Sequence, residues 1–242
     1  MNIKRIAIIG TGSMGSAILS GLLKSGFNPD NVSVSTKSTA SAERLADELG
    51  VLSFAMENGE DANQMAVAGA DVVVIAVKPA YVIETLSDIA DSLDDDALVI
   101  SVAAGITTKA MEETLPDDVS VVRAMPNTPA IVGSAVTGIS AGSRADKDAI
   151  ETAVQLFKTV GTSIVLDEAK IDALSTISGS GPAYVFYLIE QLTAVAKKMG
   201  FSDAEAAQLV NETFLGSAQL LIESGRSPQE LRKQVTSPNG TT

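Results

Sequence analysis

The chain has 242 residues, of which 45% are hydrophobic and 19% charged, so it can form one large domain or two modest ones with real cores. The formal net charge of -13 would repel a phosphate backbone, and the absence of cysteine and histidine excludes disulfides, thiolate nucleophiles, imidazole bases and the usual zinc or iron ligands. We therefore expect neither a nucleic-acid partner nor a metal site. Apolar runs such as 72–77 are far shorter than the roughly 20 residues that cross a bilayer. No signal peptide is visible, so we expect a cytoplasmic protein with no membrane partner.

The N-terminal part of the sequence alternates short β-branched runs with helix-like segments. Repeated strand, helix, strand order indicates a parallel sheet covered by helices on both faces, and the run 72–77 suits a strand buried on both sides because it is apolar throughout. We predict an α/β fold that begins with a Rossmann-type, doubly wound parallel sheet. The expected strands are residues 6–9, 32–35, 72–77, 98–102, 119–123, 136–140 and 163–166.

Helix signals replace the β-rich runs beyond residue 166. Ser202 with Glu205, and Ser227 with Glu230, have the spacing of capping boxes, and Pro228 stands at the first helical position. Two further helices are therefore expected to begin at these points.

This change of pattern predicts a domain boundary. We expect residues 1–165 to form the dinucleotide-binding sheet domain and residues 166–242 an all-helical domain for dimerisation and substrate binding. Residues 183–199 are apolar on nearly every side, more than a small helical domain can bury by itself. Association of subunits through this region is therefore expected.

A glycine-rich turn joins the first expected strand to a helical pattern. Gly10 would permit the tight turn, Gly12 would let the backbone approach a pyrophosphate, and Gly15 would allow helix and strand to pack closely. Free N–H groups at the helix N-terminus would then receive the phosphates. A plain glycine-rich turn is the alternative, but the strand–turn–helix context favours a dinucleotide site. The expected contacts are Ile9, Gly10, Thr11, Gly12, Ser13, Met14 and Gly15.

The end of the second expected strand indicates which dinucleotide binds. An acidic residue about 20 positions beyond the glycines would bind the ribose hydroxyls of NAD. This sequence instead has Ser35, Thr36 and Lys37 there, and Asp30 lies at the wrong end of the strand. Hydroxyls and one cation suit a 2'-phosphate, so we predict NADP(H), with NAD(H) as the alternative. Lys37 could also be a solvated residue at the start of a helix.

Five further blocks follow along the chain. They are Ala76-Val77-Lys78-Pro79, Ser101-Val102-Ala103-Ala104-Gly105, Arg123-Ala124-Met125-Pro126-Asn127-Thr128-Pro129, Ser178-Gly179-Ser180-Gly181-Pro182-Ala183-Tyr184 and Val235-Thr236-Ser237-Pro238-Asn239-Gly240-Thr241-Thr242. In content and order they resemble the pyrroline-5-carboxylate reductase family, and the resemblance spans the whole chain.

The resemblance implies an NADP-dependent oxidoreductase acting on CH–NH groups. Its reaction would be hydride transfer to the imine carbon of 1-pyrroline-5-carboxylate, giving L-proline in the last step of proline biosynthesis. Asn63, eight positions before Asp71, would contact the adenosine side of the cofactor. Lys78 could be a catalytic acid, but its place in a family cofactor loop favours a role in positioning. The remaining implied cofactor contacts are Ala76, Val77, Lys78, Pro79, Val102, Ala103 and Ala104.

The resemblance also assigns the substrate site to the last residues of the sequence. The substrate carboxylate would be held by the Ser237 hydroxyl and by backbone N–H groups of Thr241 and Thr242, an arrangement consistent with Gly240. The Thr242 hydroxyl would lie near the ring nitrogen, where it or an ordered water would supply or relay a proton.

Two residues at the start of the helical domain complete the implied catalytic set. Glu168 and Ser175 would flank the ring and the nicotinamide. An ordinary carboxylate at a helix N-terminus is the alternative for Glu168. The family also builds homodimers through its helical domains and often larger rings of dimers.

Three features depart from the family pattern. Asn239 stands where glycine is usual, Ser175 stands where threonine is commoner, and the sequence stops at Thr242 where the family continues into another helix. We therefore expect the helical domain to be truncated at its C-terminal end.

Two other functions remain open from the sequence. One is a different enzyme on the same scaffold, either another NADP-dependent imine reductase or a β-hydroxyacid dehydrogenase. Such dehydrogenases use a helical-domain lysine as proton donor, and Lys170, Lys197 and Lys198 do not lie beside the 178–182 motif as expected. The other is a non-catalytic NADP-binding regulatory protein.

Overall fold

The computed structural model describes residues 3–240, and an eight-stranded sheet forms its first part. The strands are β1 Ile6–Ile9, β2 Val32–Thr36, β3 Leu52–Ala55, β4 Val72–Ile75, β5 Leu98–Ser101, β6 Ser120–Met125, β7 Ala135–Ala141 and β8 Gly161–Val165. They lie in the order β3-β2-β1-β4-β5-β6-β7-β8 across the sheet.

The predicted α/β fold with a Rossmann-type sheet is confirmed, with one correction to its strand directions. β1 to β6 run parallel, but β7 is antiparallel to β6, and β8 is parallel to β7. The connection 126–134 between β6 and β7 is too short for the crossover of a dozen or more residues that a parallel pair requires. The sheet is therefore mostly rather than wholly parallel.

All seven expected strands are present within a few residues of their predicted bounds, and one strand was missed. β3 pairs with β2 at the edge of the sheet. Its four residues are mostly half-buried or exposed, so its sequence lacks the continuous apolar run that marks β4.

Helices cover both faces of this sheet. One cluster of buried side chains packs α1 (Ser13–Lys24) and the Leu156–Phe157 face of α6 (Lys147–Lys158) against one side of the strands. A second packs α4 (Val82–Ile89) and Met111 of α5 (Thr108–Glu112) against the other side. Alternate residues of the same strand point into opposite clusters: Ile6 and Ile8 into the first, Ala7 and Ile9 into the second. The helices are α1 Ser13–Lys24, α2 Thr39–Leu49, α3 Ala62–Val67, α4 Val82–Ile89, α5 Thr108–Glu112, α6 Lys147–Lys158, α7 Ile171–Leu174, α8 Gly181–Lys198, α9 Asp203–Ser224 and α10 Pro228–Val235.

The chain divides into two compact units between Pro182 and Ala183. This division falls later than the boundary near residue 165 that we predict from the sequence. Segment 166–182 lies in the unit of the sheet because Ile171 is fully buried and Asp172 pairs with Arg123 of β6. The assignment of residues 166–182 to the helical domain rests on their sequence pattern alone and stays a prediction.

The second unit consists of helices, and both predicted capping boxes are present. Ser202 accepts a hydrogen bond from the Glu205 backbone N–H at the start of α9, and the Glu205 carboxylate accepts from the Ser202 N–H at 2.8 Å. Ser227 and Glu230 repeat the arrangement at α10. Within residues 3–240, none of the helices combines the length and apolarity that spanning a membrane requires.

Candidate active site

The glycine turn after β1 has the local geometry that each glycine was expected to provide. Gly10 has φ +89°, which favours glycine, and its N–H donates to the Ser35 carbonyl at 3.1 Å. A Cβ on Gly15 would overlap the Gly10 carbonyl oxygen, whereas a Cβ on Gly12 would meet no atom within 4 Å. Gly15 therefore serves close packing, and Gly12 leaves open space beside the backbone.

The N-terminus of α1 lies at this open space. Gly12 is the N-cap residue, has no side chain to occupy the first N–H groups, and the first turn contains no acidic residue. The Ser16 hydroxyl donates to the Thr11 carbonyl at 2.9 Å and closes the loop. Backbone N–H groups and the positive end of the helix dipole thus face a space without protein side chains, which fits a pyrophosphate.

The turn between β2 and α2 contains the residues predicted to select the cofactor. Ser35 and Thr36 are buried and Lys37 is exposed. The Ser35 hydroxyl donates to Asn63 Oδ1 at 2.7 Å, and Asn63 Nδ2 donates to Asp88 at 3.0 Å. Asn63 is therefore a buried link between β2 and α4, close to the predicted adenosine side of the site.

A carboxylate that we did not predict lies at the same turn. Glu57 follows β3, and its Oε2 accepts from the Thr39 N–H at 2.9 Å, while its own N–H donates to the Lys37 carbonyl at 3.2 Å. The Thr39 hydroxyl donates to Asn58 Oδ1 at 2.7 Å. The missed strand β3 is what places these side chains here.

The ends of β4 and β5 bring the other predicted cofactor residues to the same edge of the sheet. The Ala76 N–H donates to the Ile9 carbonyl at 2.8 Å, and the Val102 N–H donates to the Ile75 carbonyl at 3.0 Å. Carboxyl ends of adjacent parallel strands are where open α/β sheets bind ligands. Of these segments, Lys78, Pro79 and Ala104 are exposed, Ala76, Val77 and Val102 are half-buried, and Ala103 is buried.

Glu168 makes three contacts with two residues of the sheet unit. Its Oε1 accepts from the Thr108 N–H at 2.7 Å and from Arg123 Nη1 at 3.3 Å, and its Oε2 accepts from the Thr108 hydroxyl at 2.7 Å. Arg123 is buried and also donates to Asp172 at 2.9 Å. Glu168 is predicted from the sequence, but Thr108 and Arg123 are not. Arg123 could have been noticed, because it is a single charged residue at the end of an otherwise mostly apolar expected strand.

Ser175 begins a π-helical turn, Ser175–Gly179. Its hydroxyl lies 3.0 Å from where a Cβ of Gly179 would be, so a larger residue at Gly179 would crowd it. Asn127 fixes the same turn from the end of β6, because its Nδ2 donates to the Ser178 carbonyl at 2.9 Å and its Oδ1 accepts from the Val136 N–H at 2.9 Å. Isolated π-turns are frequent at functional sites.

The predicted substrate loop follows α10 in the second unit. The Gly240 N–H donates to the Ser237 carbonyl at 3.0 Å, and a Cβ on Gly240 would overlap the Ser237 hydroxyl. Asn239 has φ +61°, a conformation that asparagine tolerates better than most residues, which accounts physically for asparagine where the family pattern has glycine. The other two predicted residues of the loop, Thr241 and Thr242, lie outside the described residues.

Within residues 3–240, no group of three or more acidic side chains is arranged to hold a metal ion. The described residues around the glycine turn and Glu168 offer hydroxyls, carboxylates, lysine and arginine side chains and backbone amides.

Comparison with known proteins gives two family models and many relatives. The model described as pyrroline-5-carboxylate reductase dimerisation matches residues 168–242, and one described as NADP oxidoreductase coenzyme F420-dependent matches residues 5–105. A pyrroline-5-carboxylate reductase of Corynebacterium melassecola is 39% identical over 240 residues, which is 98% of this chain and 87% of that protein.

Solved structures agree with the sequence relatives. The pyrroline-5-carboxylate reductase of Coxiella burnetii has a TM-score of 0.89 and 36% identity, covering 99% of this chain and 87% of that one. The pyrroline carboxylate reductase of Plasmodium falciparum, solved with NADP bound, has a TM-score of 0.85 and 27% identity, covering 99% and 86%. A 3-hydroxyisobutyrate dehydrogenase of Mycobacterium tuberculosis, at 18% identity and a TM-score of 0.61, shares the fold alone.

Proposed function

The chain belongs to the pyrroline-5-carboxylate reductase family, and we propose that it reduces 1-pyrroline-5-carboxylate to L-proline with NADP(H), the last step of proline biosynthesis. It is thus an NADP-dependent oxidoreductase acting on CH–NH groups. The observation that carries the proposal is the open glycine turn at the N-terminus of α1, on the same sheet edge as the residues that follow β4 and β5.

The reaction needs little acid–base machinery from the protein. When bound, the reduced nicotinamide supplies a hydride to the imine carbon, and the ring nitrogen holds one more proton in the secondary amine than in the neutral imine. A substrate that binds as the protonated iminium already carries that proton. The main task of the residues is to hold the ring against the cofactor, an effect worth up to about 7 to 11 kcal/mol in favourable cases.

Substrate binding is proposed for the loop after α10. The Ser237 hydroxyl and the N–H groups of Thr241 and Thr242 would hold the carboxylate. The turn in which the Gly240 N–H donates to the Ser237 carbonyl supports this, because it keeps Ser237 near the residue that directly precedes Thr241 in the sequence. The Thr242 hydroxyl is proposed to supply or relay a proton at the ring nitrogen. No charged side chain is required for this set of contacts.

Glu168 and Ser175 are proposed to shape the site from the segment after β8. Both carboxylate oxygens of Glu168 are engaged by Thr108 and Arg123, which supports a positioning role: Thr108 begins α5, just beyond the 102–105 segment. Ser175, in the π-helical turn, is half-buried, and its hydroxyl is proposed to face the ring.

The chain contains a dimerisation region of its family, so it forms a homo-oligomer. A homodimer or a ring of dimers is the proposed form. A cytoplasmic location is also proposed, and cell fractionation with detection of the chain would check it.

The test is an assay of NADPH consumption by the purified chain. With 1-pyrroline-5-carboxylate, the absorbance of NADPH should fall, and the amount of proline formed should equal the amount of NADPH consumed. A β-hydroxy acid with NADP+ serves as the control for the dehydrogenase alternative and should give no reaction. Dehydrogenase activity without imine reduction would contradict the proposed function and indicate a β-hydroxyacid dehydrogenase. Tight NADPH binding with neither activity would favour a regulatory protein.

A further inference from the structure

A carboxylate lies at the turn between β2 and α2, whose own residues 35–38 carry only hydroxyls and one lysine. Glu57 follows β3, and β3 pairs in parallel with β2, so the two strands end at the same edge of the sheet. Two hydrogen bonds join Glu57 to this turn: its Oε2 accepts from the Thr39 N–H at 2.9 Å, and its N–H donates to the Lys37 carbonyl at 3.2 Å.

The position of this carboxylate matters because of what binds at such turns. In dinucleotide-binding sheets the ribose of the adenosine half lies beside the end of the second strand, where a carboxylate favours ribose hydroxyls and a cation favours a 2'-phosphate. Here the carboxylate comes from the neighbouring strand. It also takes the N–H of Thr39, the first residue of α2, a group that would otherwise be available to an anion.

Lys37 offers the opposite charge at the same turn. Its side chain is exposed, and within residues 3–240 neither Lys37 nor Glu57 forms an ion pair, although the Glu57 carboxylate accepts a hydrogen bond from the Thr39 N–H. Neither charge is neutralised by an opposite charge of the described residues, so both can act on a ligand. A 2'-phosphate brought to this turn would be attracted by Lys37 and repelled by Glu57.

We propose that Glu57 is a specificity-determining residue that limits the preference of this enzyme for NADP(H) over NAD(H), in opposition to Lys37. The proposal rests on the cofactor site proposed above and adds the residue that sets its selectivity. A carboxylate at this turn would repel a 2'-phosphate, and such repulsion of one ligand is a common way in which binding sites gain specificity.

The experiment measures the dissociation constants of NADP+ and NAD+ by titration of the purified full chain, without substrate. Glu57→Gln keeps an acceptor oxygen for the Thr39 N–H but removes the charge. It should raise the ratio of NADP+ to NAD+ affinity by about tenfold over the unaltered chain. Lys37→Gln should lower the same ratio.

Matched controls separate charge from folding and from general electrostatics. Glu60→Gln removes an exposed carboxylate three residues further on and should leave the ratio unchanged. Glu57→Ala is the second variant, and thermal melting of each variant shows whether the fold persists. Both Glu57 variants should shift the ratio in the same direction.

An unchanged ratio in the Glu57 variants, with NADP+ still binding, would overturn this inference and leave the proposed function intact. A shift of equal size in Glu60→Gln would overturn it as well, because the effect would then come from net charge alone. Failure of the unaltered chain to bind either dinucleotide would overturn the cofactor site and this inference with it.

Discussion

At the scale of single residues, two glycines of the same turn face different surroundings. Gly15 packs against the Gly10 carbonyl, whereas Gly12 faces open space and has φ -69°, which any residue can adopt. The same substitution should therefore act mainly on stability at Gly15 and mainly on cofactor binding at Gly12.

Gly15→Ala is expected to destabilise the chain by about 1 to 3 kcal/mol, because the added methyl group overlaps backbone that cannot move without disturbing the turn. Gly12→Ala should lower the thermal midpoint much less, since at this N-cap position alanine is less favourable than glycine but meets no clash. It should weaken NADP+ binding, because its methyl group fills the space proposed for the pyrophosphate. Thermal melting and NADP+ titration of both variants check this. Equal effects of the two substitutions on stability would contradict it.

Glu168 provides a second prediction at this scale. Glu168→Gln removes the charge that faces buried Arg123 and should cost about 1 to 3 kcal/mol of stability, measured by denaturant unfolding. If Glu168 positions the loop before α5, kcat should fall while the KM for NADPH changes little. Thr108→Val, which removes the hydroxyl partner but keeps the N–H, should give a smaller fall in kcat. A loss of stability with normal kcat in both variants would reduce Glu168 to a structural role.

The tight turn at Gly10 and the close packing at Gly15 could be predicted because both follow from the spacing of glycines within one strand–turn–helix unit, whereas a pyrophosphate contact at Gly12 stays a prediction. The contacts of Glu168 and Glu57 could not be predicted in the same way. They depend on residues 60 and 18 positions away that only the folded sheet brings together.

At the scale of elements, the two capping boxes lead to a pH dependence. The pKa of the Glu205 carboxyl lies below its ordinary value of 4.5, mainly because the Ser202 side chain donates to it and then because the Ser202 N–H does, and the Glu230 carboxyl has a lowered pKa through Ser227 for the same reasons. A pKa lowered by folding means that the carboxylate stabilises the folded state above the unfolded pKa, and that this contribution is lost as the pH falls through the folded pKa.

The double variant Glu205→Gln, Glu230→Gln should therefore melt at a lower temperature than the unaltered chain at pH 7. The difference between the two should shrink as the pH falls below about 4.5 and the carboxylates of the unaltered chain become protonated. Glu223→Gln is the control, because this carboxylate lies in the last turn of α9, where the helix dipole does not favour it. A melting difference that is constant from pH 7 to pH 3 would contradict the prediction.

Most elements were predictable because their signals are local. Seven strands have β-branched or apolar runs, and the caps of α9 and α10 have their characteristic spacing. β3 was missed because a short edge strand buries few side chains, and that miss also concealed Glu57. The reversed direction of β7 follows from the length of connection 126–134, a constraint that strand counting alone does not apply.

At the scale of the whole molecule, the helical unit exposes far more apolar surface than a single chain would be expected to tolerate. Tyr184, Val185, Phe186, Tyr187 and Leu188 are consecutive in α8 and are all exposed in one chain. Consecutive residues cover every side of a helix, so no single neighbouring helix could bury them all. This exposure, with the family dimerisation region, accounts for the homo-oligomer.

Substitution of both Phe186 and Leu220 by Glu is expected to shift the chain from an oligomer to a monomer, because it puts charges on the exposed apolar surface of α8 and α9. Analytical ultracentrifugation measures the change. Ile83→Glu is the control: Ile83 is also an exposed apolar residue but belongs to α4 of the sheet unit, so this variant should remain an oligomer. A monomeric unaltered chain would contradict the expectation directly.

Association of subunits and a helical C-terminal part could both be predicted from the sequence, because the residues beyond 166 have helix signals and an unusually apolar composition. It did not predict that residues 166–182 pack with the sheet. That packing depends on Arg123 and Asn127, which reach this segment from β6 and from the loop after it.

The central claim, that a nicotinamide hydride reaches the carbon of a ring imine, is tested most directly by isotope transfer. The chain is incubated with 1-pyrroline-5-carboxylate and NADPH that carries deuterium at the transferable position of the nicotinamide, and the product is examined by NMR and mass spectrometry. The account predicts proline with one deuterium on the ring carbon beside nitrogen that was the imine carbon. Proline without deuterium, or no proline while the deuterated cofactor stays intact, would contradict it.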